Sequence, residues 1–239
     1  NGGNMYQFDS RIRYSEVDKE CNLTLTAMMN YFQDCSVAHS ESLDRGVRYL
    51  SENHMAWVLS SWQICCDNMP RLFDEVTVST WAYDMKAFYG YRNFTMDRKN
   101  GERLAYANSV WVLVDTLTGR PVKVPEDIIN EYGTSPQLEM ECSSRKIKVP
   151  ADMEAGAEMV VPKFFIDSNQ HMNNEKYVAI AQELLPAEFK IKELRVEYKK
   201  EAKLGDTIRS SVKKTDEGIV AVLADTEDKP YAVVQFIGN

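Results

Sequence analysis

Residues 88–116 read FYGYRNFTMDRKNGERLAYANSVWVLVDT. Two runs rich in β-branched and aromatic residues, Phe88–Arg98 and Arg103–Thr116, flank Lys99-Asn100-Gly101. Asn-Gly between such runs is a strong hairpin signal, because both residues tolerate the positive φ that a tight turn needs. The stretch therefore predicts two antiparallel strands. Working back along the chain, Glu75–Asp84 (EVTVSTWAYD) and His54–Cys66 (HMAWVLSSWQICC) share that composition and predict two more. Earlier still, Thr24–Asp44 holds neither proline nor glycine, carries apolar residues at Met28, Phe32 and Cys35, and meets Gly46 at its end. That spacing predicts one helix ahead of an antiparallel sheet.

The second half of the chain repeats this order. Asn174–Leu185 places Tyr177, Ala181, Leu184 and Leu185 at helical spacing and stops at Pro186. Strands are predicted at Phe189–Lys200, Thr207–Lys213, Ile219–Ala224 and Tyr231–Ile237, with turns at Asp216-Glu217-Gly218 and Glu227-Asp228-Lys229-Pro230. Gly133–Gly156 is polar and lacks a periodic pattern, so it reads as a connecting segment. A faint letter repeat accompanies the repeat of elements. At an offset of 149, Asp18 meets Asp167, Leu23 meets Met172 and Gln33-Asp34 meets Gln182-Glu183. Leu72-Phe73-Asp74 meets Leu204-Gly205-Asp206 at an offset of 132. The expected architecture is α+β: two tandem helix-plus-sheet units, residues 5–135 and 158–239, joined by a linker at 136–157. Sheets of that kind can join into one continuous curved sheet whose buried face is covered by the helices. Between helix and sheet such a unit has room for a chain-like apolar ligand.

Bulk composition narrows the function. The chain has 239 residues, 44% of them hydrophobic and 27% charged, which is ordinary for a packed globule. A formal charge of −8 disfavours a nucleic-acid-binding surface. No apolar run approaches the ~20 residues needed to span a bilayer. The start of the chain does not resemble a secretory signal, and residues 1–4, ahead of Met5, are left out of the fold reading. Five cysteines without metal-ligand spacing, Cys21, Cys35, Cys65, Cys66 and Cys142, read as reduced thiols of a cytoplasmic protein. Three scattered histidines make no metal site. There is neither a Gly-rich phosphate loop nor a Gly-x-Ser-x-Gly elbow. No cofactor is expected.

The densest polar cluster is Asp167-Ser168-Asn169-Gln170-His171-Met172-Asn173-Asn174. It lies between a strand-like run, Val160–Ile166, and the second helix. Read simply, it is a turn and a helix cap. Read as a site, it combines a carboxylate, an amide and an imidazole with the free N–H groups of a helix start, which favour developing negative charge.

Asp167-x-Asn169-x-His171-x-Asn173-Asn174-x-x-Tyr177 resembles a motif of the plant and bacterial acyl-ACP thioesterases. Val196-Glu197-Tyr198-Lys199-Lys200-Glu201 resembles that family's second motif, and the likeness runs from about residue 6 onward. The resemblance implies a double hotdog fold, in accord with the repeat. It also implies hydrolysis of fatty acyl thioesters on acyl carrier protein, with Asp167, Asn169, His171 and Glu201 as the catalytic network. Asn173, Asn174 and Tyr177 would lie against substrate, and Met28, Met29 and Phe32 in the first half would shape the acyl pocket. Plant members carry a cysteine directly after the glutamate, where this chain has Ala202. A water activated by Glu201 or Asp167 is then the simpler mechanism. The carrier is an acidic protein, and Lys190, Lys192, Lys199, Lys200 and Lys203 could dock it. An acyl-CoA thioesterase, a non-catalytic acyl-binding protein and a hydratase on a related scaffold are the rival readings. A homodimer is left open.

The remaining candidates read as structural. His39 and His54 lack acidic or nucleophilic neighbours at motif spacing, and Cys65-Cys66 belongs to a strand. In the first half Asp18 stands where Asp167 does, but Asn22 replaces His171 and Met69 replaces Glu201. Neither replacement can take a proton near neutral pH, so the chemistry is expected in the second half alone. Thiol-blocking reagents should therefore leave acyl-thioester hydrolysis intact. Stoichiometric loss traced to one cysteine, prevented by substrate and reproduced by its serine variant, would refute a water mechanism.

Overall fold

The computed structural model describes residues 4–238. The chain divides into two compact units, residues 1–59 with 64–142 and residues 60–63 with 143–239. The first contains β1 (Met5–Arg11), α1 (Leu25–Ser42), α2 (Val47–Glu52), most of β2 (Met55–Cys66), β3 (Glu75–Lys86), β4 (Tyr89–Arg98), β5 (Arg103–Asp115) and α3 (Glu126–Tyr132). Its strands follow the order β1-β3-β4-β5, with β2 beyond β5. The β1/β3, β3/β4 and β4/β5 pairs are antiparallel. The β4–β5 hairpin turns through Lys99-Asn100-Gly101 as its letters predict. Gly101 adopts φ +88, and the Arg98 N–H donates to the Glu102 carbonyl at 2.9 Å.

Helix α1 starts where its sequence says it should. The Thr24 hydroxyl accepts the Ala27 N–H at 3.2 Å, a standard N-cap. Leu25, Met28, Met29, Phe32, Cys35 and His39 form its buried stripe, and the Cys35 thiol reaches the Val78 carbonyl on β3 at 3.6 Å. The second unit contains β6 (Glu154–Val160), α4 (Asn174–Gln182), β7 (Ile191–Tyr198), β8 (Thr207–Thr215), β9 (Gly218–Ala224) and β10 (Pro230–Gly238). Its strand order is β7-β10-β9-β8-β6, again antiparallel throughout. Each unit is thus a helix on an antiparallel sheet, as the repeat predicts.

Three readings of the sequence need amending. Val160–Ile166 is not a strand: β6 ends at Val160, and Lys163–Phe165 form a 3₁₀ turn behind Pro162. Proline fixes φ and lacks the N–H that a strand would use. Helix α4 ends at Gln182 rather than Leu185. Finally, β6 opens at Glu154, inside the stretch read as a linker, and the rest of that stretch is docked. In the first unit the Ser135 and Leu138 N–H groups donate to the Ala82 carbonyl and the Asn93 side chain. In the second, Ile147 inserts among Val220, Val222, Ala224 and Val233, while its N–H donates to Glu197 at 2.9 Å.

The internal repeat survives at atomic detail. Ile12 and Val161, related by the offset of 149, each exchange backbone hydrogen bonds with the equivalent turns around Asp74 and Asp206. In those turns the Asp74 carboxylate accepts the Arg71 N–H and the Asp206 carboxylate accepts the Lys203 N–H. Phe73 has φ +68 where its counterpart Gly205 has φ +83. A side chain at positive φ costs about 1–2 kcal/mol, and the exposed Phe73 ring recovers little of that by burial. Phe73→Gly should therefore raise stability by about 0.5–1 kcal/mol after the chain-entropy cost of glycine. A midpoint of denaturant unfolding that fell on this substitution would refute the strain.

Candidate active site

The loop after the 3₁₀ turn is folded by one carboxylate. Asp167 Oδ1 accepts the N–H of Asn169 at 2.8 Å and that of His171 at 3.3 Å. The Asp167 N–H donates to the His171 carbonyl at 2.9 Å, and Gln170 takes φ +65 to close the turn. Ile166 and Met172 bridge across its base. Asn173 then caps α4 by accepting the Glu175 N–H.

A single backbone bond carries Glu201 to this loop. The Met172 N–H donates to the Ala202 carbonyl at 2.8 Å. His171 precedes Met172 and Glu201 precedes Ala202, so the bond brings both side chains together. His171 Nε2 lies 3.0 Å from Glu201 Oε2, with 29% and 41% of the side chains exposed. The pair can pass a proton and remains open to water and substrate. Asn169 is exposed in the same loop. The four residues expected to act together thus sit in one place, three in the loop and Glu201 against His171.

Most of the other expected site residues make contacts within the protein, and three of the lysines are exposed. Asn173 is the helix cap. The Asn174 carbonyl accepts the Tyr198 hydroxyl at 2.9 Å. Tyr177 is buried, and its oxygen accepts the Ala202 N–H at 2.9 Å. Met28, Met29 and Phe32 are buried in the core of the first unit, Met28 beside Cys66 and Phe32 against Phe94. Lys199 pairs with Glu197 at 3.3 Å, and Lys200 pairs with Asp225. The Lys200 ammonium, helped by the backbone N–H groups of Lys229 and Glu227, holds the Asp225 carboxyl down to about 2. Lys190, Lys192 and Lys203 are exposed.

Two residues beside the site were given no role of their own from the letters. Tyr198 packs edge-on to Tyr177 with ring centroids 5.6 Å apart. Glu175, only 5% exposed, pairs with Lys176 at 2.5 Å. Its place in the first turn of α4, where a carboxylate suits the helix dipole, was the available signal.

His39 is structural. It is buried, its Nδ1 lies 2.9 Å from Arg92 Nη1, and its ring meets Tyr6 and Tyr132. Burial, and then the Arg92 charge, pull its imidazole down to about 3. Burial pushes the Cys35 and Cys66 thiols up to about 12, which leaves them poor nucleophiles.

The first unit builds the same loop without the reactive groups. Asp18 Oδ1 accepts the N–H of Glu20 at 2.9 Å and that of Asn22 at 3.0 Å. Cys21 has φ +62, Val17 bridges Leu23, and the Leu23 N–H donates to the Pro70 carbonyl at 2.7 Å. Every element of the scaffold has its counterpart. Glu20, Asn22 and Met69 occupy the places of Asn169, His171 and Glu201.

Comparison with known proteins bears on the family and the fold. The N-terminal domain model of the acyl-ACP thioesterases matches residues 3–132, and the C-terminal domain model matches residues 151–236. A chloroplastic palmitoyl-acyl carrier protein thioesterase of Arabidopsis thaliana is 28% identical over 94% of this chain and 59% of its own length. A dodecanoyl-[acyl-carrier-protein] hydrolase of Cinnamomum camphora is 27% identical over 83% of this chain and 56% of its own. The chain therefore spans a little over half the length of these curated relatives. Among solved structures, an acyl-ACP thioesterase of Bacteroides thetaiotaomicron superposes with a TM-score of 0.90 at 23% identity, covering 99% of this chain and 98% of the other. The 12:0-ACP thioesterase of Umbellularia californica gives 0.87 at 22% identity, covering 100% and 98%. At these identities the superpositions speak for the fold, and they bear out the expected double hotdog. With the first domain model alone matching more than half of the residues, the chain belongs to the acyl-ACP thioesterase family.

Proposed function

We propose that this protein hydrolyses the thioester of fatty acyl-acyl carrier protein, releasing free fatty acid and the carrier thiol. The observation that carries the reading is the His171 Nε2–Glu201 Oε2 contact of 3.0 Å at the start of α4. In this mechanism the pair removes a proton from water as the water oxygen attacks the thioester carbonyl. Asn169 and N–H groups at the helix start stabilise the oxyanion that forms. As the tetrahedral intermediate collapses, the carbon–sulfur bond breaks and the proton held by the pair passes to the departing sulfur. The products are a carboxylic acid and a thiol, so atoms and charge balance without a cofactor.

Of the two carboxylates, Glu201 is the better base. Asp167 Oδ1 is already occupied by two backbone N–H groups, and Asp18 does the same work in a loop that lacks the other reactive groups. Glu201→Gln should lower kcat for acyl-ACP by about two orders of magnitude or more. Asp167→Asn, which keeps an oxygen acceptor for the loop, should lose distinctly less. Equal losses would instead make Asp167 the base. The same assay run on acyl-ACP and acyl-CoA of matched chain length tests the carrier, and faster turnover of the CoA ester would refute the acyl-ACP assignment.

A carrier of acidic surface fits the lysines that follow β7. Lys199 and Lys200 are already paired within the chain, whereas Lys203, two residues past Glu201, is exposed. Reversing its charge should weaken encounter without touching the chemistry. Lys203→Glu is expected to raise KM for acyl-ACP several-fold, more so at low salt, with kcat and the turnover of a small soluble thioester unchanged. An unaltered KM would remove Lys203 from the docking face.

A further inference from the structure

We infer that Tyr177 is a positioning residue, whose phenol oxygen holds the Ala202 N–H and thereby fixes Glu201 opposite His171. The inference rests on the His171–Glu201 reading above. Ala202 is fully buried and held from both sides. Its carbonyl takes the Met172 N–H at 2.8 Å, and its N–H donates to Tyr177 Oη at 2.9 Å. A buried N–H left without an acceptor is costly, so the peptide joining Glu201 to Ala202 needs Tyr177 to stay where it is. Rotation of that peptide would swing the Glu201 carboxylate, one residue away, from its 3.0 Å contact with His171.

The repeat provides an internal control. At the position of Ala202 the first unit has Pro70, whose carbonyl still accepts the Leu23 N–H at 2.7 Å. Proline has no N–H to satisfy. At the position of Tyr177 the first unit has Met28, whose thioether is a weak acceptor. The second unit therefore has both the N–H donor and a strong oxygen acceptor, and the first has neither. The first unit also has Met69 and Asn22 in place of the reactive pair, so it has nothing to position. Tyr177 is suited to the task electrostatically as well. Burial raises its pKa, and the nearby Glu201 and Asp167 charges raise it further. The phenol stays neutral and keeps its oxygen as an acceptor beside two carboxylates.

The test is a kinetic double-substitution cycle with acyl-ACP. Tyr177→Phe alone should lower kcat about ten-fold with KM little changed, as expected when one buried bond to the positioning peptide is lost. Ala202→Pro removes the donor as the first unit does. On that background, adding Tyr177→Phe should change kcat by less than about two-fold. A normal kcat for Tyr177→Phe, a rise in KM alone, or a full ten-fold loss repeated on the Ala202→Pro background would each overturn the inference. If Ala202→Pro does not fold, hydrogen exchange at the Ala202 N–H decides instead. Exchange should accelerate about ten-fold or more in Tyr177→Phe, and an unchanged rate overturns the role. Glu201→Gln, measured alongside, separates the two claims. If it keeps the parent kcat, the His171–Glu201 reading fails and the inference with it. If it is inactive while Tyr177→Phe is normal, the positioning role fails alone.

Discussion

The site depends on one backbone hydrogen bond, from the Met172 N–H to the Ala202 carbonyl. It joins a loop just before a helix to the stretch just after a strand, two places 30 residues apart in sequence. Backbone groups suit such a join because they have no rotamers to lose. Once it forms, residues 171 and 201 project from neighbouring points of the backbone. The Asp167 carboxylate fixes the loop at one end of the bond, and Tyr177 fixes the peptide at the other. The reactive pair itself is half-exposed and contributes little to stability. Its geometry is inherited from buried neighbours rather than supplied by its own attraction.

The regular parts of the fold were legible because their letters carry a local cause. Asn100-Gly101 forces a tight turn between two β-rich runs, and the hairpin appears there. Thr24 caps α1 with its own hydroxyl. Other elements left no such mark. Strand β1 is short and only half-buried, so its alternation of Tyr6, Phe8 and Ser10 against polar neighbours is weak. Strand β6 is exposed along almost its whole length and is a strand only because β8 pairs with it. The segment around Ile147 docks through backbone groups and one apolar side chain, which no periodicity can announce.

At the site, the letters showed which residues come together better than how each is held. Asp167, Asn169 and His171 alternate in sequence, and that spacing fits a loop presenting several polar groups. It could not reveal that Asp167 directs an oxygen at its own backbone. Asp18 makes this plain, because it forms the same two bonds beside Asn22 rather than a histidine. Tyr177 was placed near the substrate by likeness to a motif, yet it is buried and bonded to Ala202. Knowing its role requires knowing that residue 202 lies within reach, a tertiary fact that no local pattern encodes.

Comparing the units also explains how the polar groups of the loop can differ between them without loss of fold. Both loops are held by a carboxylate on backbone N–H groups, a bridge at the loop base, a capped helix and backbone bonding to a distant segment. None of those bonds involves the side chain of residue 22, 69, 171 or 201. Those four positions were therefore free to change as long as the scaffold stayed. In the mechanism proposed above, the second unit's pair transfers a proton, and such a pair has a further requirement. A carboxylate that must meet an imidazole needs its peptide fixed, which the Ala202 N–H and Tyr177 do together. In the first unit the same stretch only has to hold a loop closed, which the Pro70 carbonyl does together with the Leu72 N–H on the Cys21 carbonyl.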